Sequence, residues 1–181
     1  MARPHVAVIT TVAPAHLEAF ENIEGIAHEK ASILDGLEPG GTAIINGDVD
    51  TAPILRAKAE DTAGKVIRFG SEPGNDVQLL DVTLHDAATV CQAEDAAGPF
   101  LFKIGSPGRH FAHNALAVLA AASEMGADRD VAMSDLGRWH PPAGRGTRET
   151  LVLDVVEDTL TIDVIDDAFN ANPASMAAAL E

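Results

Sequence analysis

The sequence predicts an α/β fold, a mostly parallel sheet flanked by helices with a small antiparallel patch, and three observations carry that reading. From His5 to Phe69, apolar runs suited to buried strands alternate with segments of helical spacing. From Val77 to Ile104, short strands follow one another with only polar turns between them. Near the C-terminal end, the strand-like run LTIDVI, Leu160 to Ile165, leads into the polar segment DDAFNANPASM, Asp166 to Met176.

The first strand is HVAVIT, His5 to Thr10, an apolar run short enough to lie inside a sheet. Glu21 to Leu37 places Ile23, Ile26, Ala27, Ile33 and Leu34 at helical spacing, and Pro39-Gly40 ends it. TAIIN, Thr42 to Asn46, is a second buried strand, Ala52 to Ala63 a helix, and Lys65 to Phe69 a third strand. Such a β-α-β-α-β rhythm builds a parallel sheet through right-handed crossovers. Val77 to Leu84, Ala88 to Ala93 and Phe100 to Ile104 then form an antiparallel patch attached to it. Helices are predicted over Phe111 to Met125 and Asp130 to Trp139. After the Pro- and Gly-rich stretch Pro141 to Gly146, Thr150 to Val156 and Thr159 to Ile165 form a hairpin around Glu157-Asp158.

Composition narrows the function. The 181 residues suffice for one full core, or one domain and part of another, and 46% hydrophobic content is globular. A net charge of -16 argues against a nucleic-acid partner and against docking on anionic membranes. Cys91 is the only cysteine, so no disulfide forms within the chain, and a reducing cytoplasm is the expected location. Neither a membrane-spanning apolar stretch nor a signal peptide is visible.

The chemistry gathers in DDAFNANPASM. Adjacent carboxylates at a strand's end, followed by two asparagines, make a polar loop where open α/β sheets bind ligands. An ordinary strand-to-helix connection, with Asn172 as cap and Pro173 in the first turn, accounts for part of it but not for Asp166-Asp167. The segment resembles the D-D-S-Y-N-A-N-P-x-S-M signature of the Mur ligase family, with Ala168 for Ser and Phe169 for Tyr. Its wording is that of the branch that joins D-alanyl-D-alanine to UDP-N-acetylmuramoyl-tripeptide.

Four further constellations resemble the same family in order. APAHLEAF, Ala13 to Phe20, precedes Lys30 in GIAHEKASIL. Taken alone, His16 reads as a loop or capping residue and Lys30 as a solvated side chain. The resemblance implies instead that His16 coordinates a Mg²⁺ ion and that Lys30 is carbamylated. A carbamate turns the cation into the oxygen ligand that Mg²⁺ prefers. NGD, Asn46 to Asp48, is either a polar turn in which Gly47 supplies a positive φ or a ligand-binding turn. PGRHFAHNALAVLAAA, Pro107 to Ala122, reads locally as a helix start, and the resemblance implies that Asn114 contacts adenine, Phe111 standing where relatives often have Asn. AGRGT, Ala143 to Thr147, carries Arg145, which by resemblance meets the terminal phosphate of ATP; its planar fork suits phosphate oxygens.

The resemblance thus implies an ATP-dependent amide ligase working through an acyl phosphate, with ATP and Mg²⁺ required. Asp167, with Asn170 near it, is expected at the nucleotide ribose and an interdomain hinge, and Asp166 as a structural carboxylate. Residues 1–167 correspond to the central ATP-binding domain and 168–181 to the hinge and first helix of a C-terminal domain. No G-x-x-G-K-[ST] phosphate loop occurs, so the chain by itself is expected to be an inactive fragment. A non-catalytic module retaining the fold, or a folylpolyglutamate- or cyanophycin-type ligase, are the competing readings.

Overall fold

The computed structural model describes residues 2–14, 20, 22–154, 159–167, 169, 176 and 177. Six strands form one sheet in sequence order: β1 (Val6–Ile9), β2 (Thr42–Asn46), β3 (Lys65–Gly70), β4 (Val77–His85), β5 (Ala88–Asp95) and β6 (Gly98–Ile104). β1 to β4 run parallel, and β4, β5 and β6 are antiparallel. The expected parallel sheet with an attached antiparallel patch is therefore what forms.

β4 is the splice between the two parts. It pairs with β3 only through Phe69 with Val77 and Gly70 with Gln78, so it begins where β3 ends. Parallel neighbours normally need a long crossover. This stagger lets residues 71–76 suffice, because the chain resumes its direction instead of returning to the sheet's far edge.

Helices cover both faces, and the strands read accordingly. Ala7, Ile9, Ala43 and Ile45 pack with Ala27, Ala31, Leu55 and Ala59 of α1 (Ile23–Ala31) and α2 (Ala52–Thr62). Val6, Val8, Ile44, Ile67 and Phe69 instead meet α3 (Arg109–Glu124), which α4 (Arg129–Leu136) abuts. In α3, Ala112, Ala115, Leu116, Leu119 and Ala120 are buried at the spacing of one helical face, leaving Asn114 and Val118 outside.

Asn22 caps α1 by accepting from the Gly25 amide at 2.8 Å. That helix is shorter than the spacing predicts. It stops at Ala31, and a 3₁₀ turn over Ser32–Gly36 replaces its last stretch. The Ser32 hydroxyl donates back to the Glu29 carbonyl at 2.7 Å, the local competition that weakens regular helix at such residues. A separate two-stranded sheet, β7 (Thr147–Val152) with β8 (Thr161–Asp166), forms the expected hairpin, with β7 starting earlier than predicted. Among the described residues no helix is long and apolar enough to cross a membrane.

Buried Cys91 and half-buried Glu124 both have shifted titration. Burial, and then the neighbouring Asp81, push the Cys91 thiol up to about 12, so it stays protonated and is no nucleophile. At the C-terminal end of α3, Glu124 accepts from Lys65 Nζ at 2.7 Å and from Thr42 Oγ1 at 3.0 Å. The bond from Lys65, followed by that from Thr42, holds its carboxyl below the usual range, outweighing desolvation. A depressed folded-state value adds stability above the unfolded value and loses it as pH falls through the folded one. Glu124→Gln should therefore lower the urea midpoint at pH 7, and the gap to the parent should narrow below pH ~4.5. A gap that stays constant from pH 7 to pH 3 would show that the ionised carboxylate contributes nothing.

Candidate nucleotide site

The parallel strands end together at Ile9, Asn46 and Gly70, which defines the carboxyl edge where sheets of this kind bind ligands. α3 runs back along the sheet. Glu124, at its end, meets Thr42 and Lys65 at the strand starts, so its first turns stand at the carboxyl edge.

Side chains cross-brace that edge. Asn46 donates from Nδ2 to the Thr10 carbonyl at 2.8 Å and accepts the Asp48 amide at 2.8 Å, tying β1 to β2. Asp48 accepts from the amides of Ser71 and Glu72 and from Asn75 Nδ2, fixing the turn after β3. His113 Nε2, on α3, lies 2.9 Å from Ser71 Oγ and 3.6 Å from the Asp48 carboxylate. The NGD turn thus serves the scaffold, since Asp48 spends its oxygens on neighbouring amides. Gly47 does not take a positive φ, contrary to the sequence expectation. A Cβ there would force aside the Asn75 side chain, which donates to Asp48 and to the Glu72 carbonyl.

A second cluster joins α3 to the loop before β7. The Phe111 ring meets Trp139 edge-on at 5.1 Å and lies 3.7 Å from where a Gly146 Cβ would stand. Phe111 therefore packs the loop onto the helix, which accounts for an aromatic at a position where an amide was the expected type. Asn114 follows Phe111 by one helical turn, on the same side, and is exposed.

Arg145 is exposed between Gly144 (φ 77) and Gly146 (φ 84). The Gly146 amide donates to the Asp166 carbonyl at 2.8 Å, and the Phe169 amide donates to the Gly144 carbonyl at 2.9 Å. Asp167 lies between those two anchors. The structure thus brings Asn114, Arg145 and Asp167 to one end of the molecule. Lys30 is exposed on the last turn of α1, whose helix packs on the opposite face of the sheet. His16 and Asn170 lie outside the described residues.

Among the described residues no group of three or more His, Cys, Asp or Glu could hold a metal ion. Lys30 as an ammonium repels a cation, so the described side chains do not by themselves fit Mg²⁺. What sequence reasoning missed is the bracing through Asp48, Ser71 and His113, and the seating of Arg145 on the Phe169 ring at 4.5 Å. Neither leaves a spacing signal, because the partners lie far apart along the chain.

Residues 1–122 match the Mur ligase middle domain, and the chain belongs to the Mur ligase family. It is similar to the UDP-N-acetylmuramoyl-tripeptide–D-alanyl-D-alanine ligase of Escherichia coli strain K12, at 31% identity over 184 residues covering 100% of this chain and 38% of the relative. The UDP-N-acetylmuramate–L-alanine ligase of Mycolicibacterium gilvum is 33% identical, but over 74% of this chain and 28% of its own length. The fold matches crystal structure I of MurF from Acinetobacter baumannii with a TM-score of 0.85 at 27% identity, covering 97% of this chain and 36% of that one. It also matches MurF from Thermotoga maritima in complex with ADP, with a TM-score of 0.80 at 26% identity, covering 99% and 39%. The apo form of L. casei FPGS shares the fold alone, at 21% identity and a TM-score of 0.71 over 97% of this chain and 40% of that one. The chain thus spans 28% to 38% of the length of the curated relatives named here.

Proposed function

We propose that this chain is the nucleotide-handling part of an ATP-dependent ligase that joins D-alanyl-D-alanine to UDP-N-acetylmuramoyl-tripeptide for peptidoglycan synthesis. The observation that carries the reading is the reach of the likeness. The E. coli ligase named for this dipeptide aligns along the whole chain, including the segment after β8, whereas the alanine-adding ligase aligns along 74%. Residues 1–167 belong to the middle domain in this reading, and 168–181 open the next one.

The chemistry is phosphoryl transfer from ATP to the tripeptide carboxylate, then attack of the dipeptide amine on the acyl phosphate with release of phosphate. Such transfer depends on positioning and charge neutralisation more than on covalent chemistry by the protein. Asn114 holds the adenine edge through its amide, which can both donate and accept. Asp167, with Asn170, accepts from the ribose hydroxyls. Arg145 offsets the charge that builds up on the terminal phosphate. His16 and Lys30 would hold a Mg²⁺ ion, Lys30 only once a carbamate had replaced its positive charge with an oxygen ligand. That ion, when bound, supplies further neutralisation of phosphate charge.

The test is acceptor dependence in the protein that carries this chain. Phosphate release from ATP should require UDP-N-acetylmuramoyl-tripeptide and D-alanyl-D-alanine together. Release supported equally by L-alanine with UDP-N-acetylmuramate would overturn the assignment to the dipeptide-adding branch.

A further inference from the structure

We propose that Phe169 is a positioning residue: its ring forms a seat for the Arg145 guanidinium that leaves the positive charge of that group available to phosphate. This deepens the proposed function and rests on its assignment of Arg145 to the terminal phosphate.

The ring's exposure is the first argument. Phe169 is 62% exposed, so it contributes little to any core, and the contact its ring does make is with Arg145. Its ring lies 4.5 Å from the Arg145 guanidinium carbon, within cation–π range. The backbone enforces this placement. Arg145 is flanked by two left-handed glycines, one tied to the last residue of β8 and the other to the segment just beyond it. Gly144 accepts the Phe169 amide at 2.9 Å, and Gly146 donates to the Asp166 carbonyl at 2.8 Å. A side chain on Gly144 would stand 2.9 Å from Phe169 Cβ, so the loop passes directly over the residue that bears the ring.

The second argument is what an aromatic partner leaves on the guanidinium. A carboxylate partner would take in-plane N–H donors and neutralise the charge, leaving less of both for a phosphate. An aromatic ring carries no neutralising charge and no strong acceptor, so the positive charge stays available to a phosphate. It also limits the rotamer freedom that a long exposed arginine otherwise loses on binding. Phe169 lies two residues beyond Asp167, on the same short segment. The phosphate-directed cation and the ribose-directed carboxylate are therefore carried by one clasped unit.

Two measurements test this. In the 181-residue chain, the Arg145 Nε–Hε resonance should show a ring-current shift that persists in Phe169→Tyr and disappears in Phe169→Leu. An unchanged resonance in Phe169→Leu would mean that no stack exists in solution, and the proposal falls. In the protein that carries the chain, Phe169→Leu should lower kcat about two- to fivefold, the scale of an exposed cation–π contact, with KM for ATP and the thermal midpoint unchanged. Phe169→Tyr should restore kcat, because the aromatic face is kept. Loss of the stack without loss of kcat would overturn the positioning role. Arg145→Ala separates the two layers of argument. If it leaves kcat intact, the assignment of Arg145 to phosphate is wrong, and the positioning role falls with it, whatever the resonance shows.

Discussion

Replacing Phe69 by alanine is expected to destabilise the chain by about 3–5 kcal/mol, the range for deleting a large buried aromatic. Phe69 is completely buried and heads the group of largest fully buried side chains. It stands on β3 opposite Asn46 of β2 and Val77 of β4, facing the core beneath α3. Strands pinned on both sides cannot collapse inward, so most of the cavity should persist. Against a typical stability of about 5–15 kcal/mol, the loss is a large fraction. The effect should also reach the site, because Gly70 and Ser71 follow directly and carry the turn held by Asp48. Urea unfolding of the parent and the variant at pH 7 measures it. A loss under about 1 kcal/mol would mean that α3 can move in to fill the space, contrary to the packing described.

Lys30→Ala and His16→Ala are each expected to lower turnover of the protein that carries the chain by about a hundredfold or more, the scale for removing one electrostatic stabiliser of a transferring group. Lys30 is exposed on α1, so its substitution should change stability by no more than about 0.5 kcal/mol. A large loss of turnover at constant stability is what separates a chemical role from a solvated side chain. Near-normal turnover of either variant at saturating Mg²⁺ would remove that residue from the metal site. A ¹³C-bicarbonate spectrum gives a readout independent of turnover. A carbamate resonance present in the parent and absent in Lys30→Ala would locate the modification.

The parallel part of the sheet was legible in the sequence because β1 and β2 read as short, largely apolar runs between helical segments. TAIIN is the clearest, with every residue of β2 buried. The antiparallel patch was legible because its connections are too short to hold helices. Helix ends were less so: α1 gives way at Ala31 to a 3₁₀ turn whose apolar spacing resembles a continuing helix. Asn114, Arg145 and Asp167 could be named as candidates only through the resemblance, and the structure gathers them at one end of the molecule. What joins them could not be read. The Gly144–Phe169 and Gly146–Asp166 bonds link residues far apart in sequence, and backbone partners leave no mark on residue type. The ambiguity at Asn46-Gly47-Asp48 was likewise settled only by seeing which amides the Asp48 carboxylate faces.

The stagger at β4 also has a consequence for how the chain folds. The β4–β5–β6 meander joins neighbours across tight turns within residues 77–104, so its loop-closure entropy is small. The β1–β2 pair must instead bring Val6 to Thr42 across an intervening helix, a far slower search. Assembly is therefore expected to proceed from the meander toward β1, with the start of β4 offering β3 its first edge. Substitutions in the meander should slow folding, and those in β1 should mainly hasten unfolding.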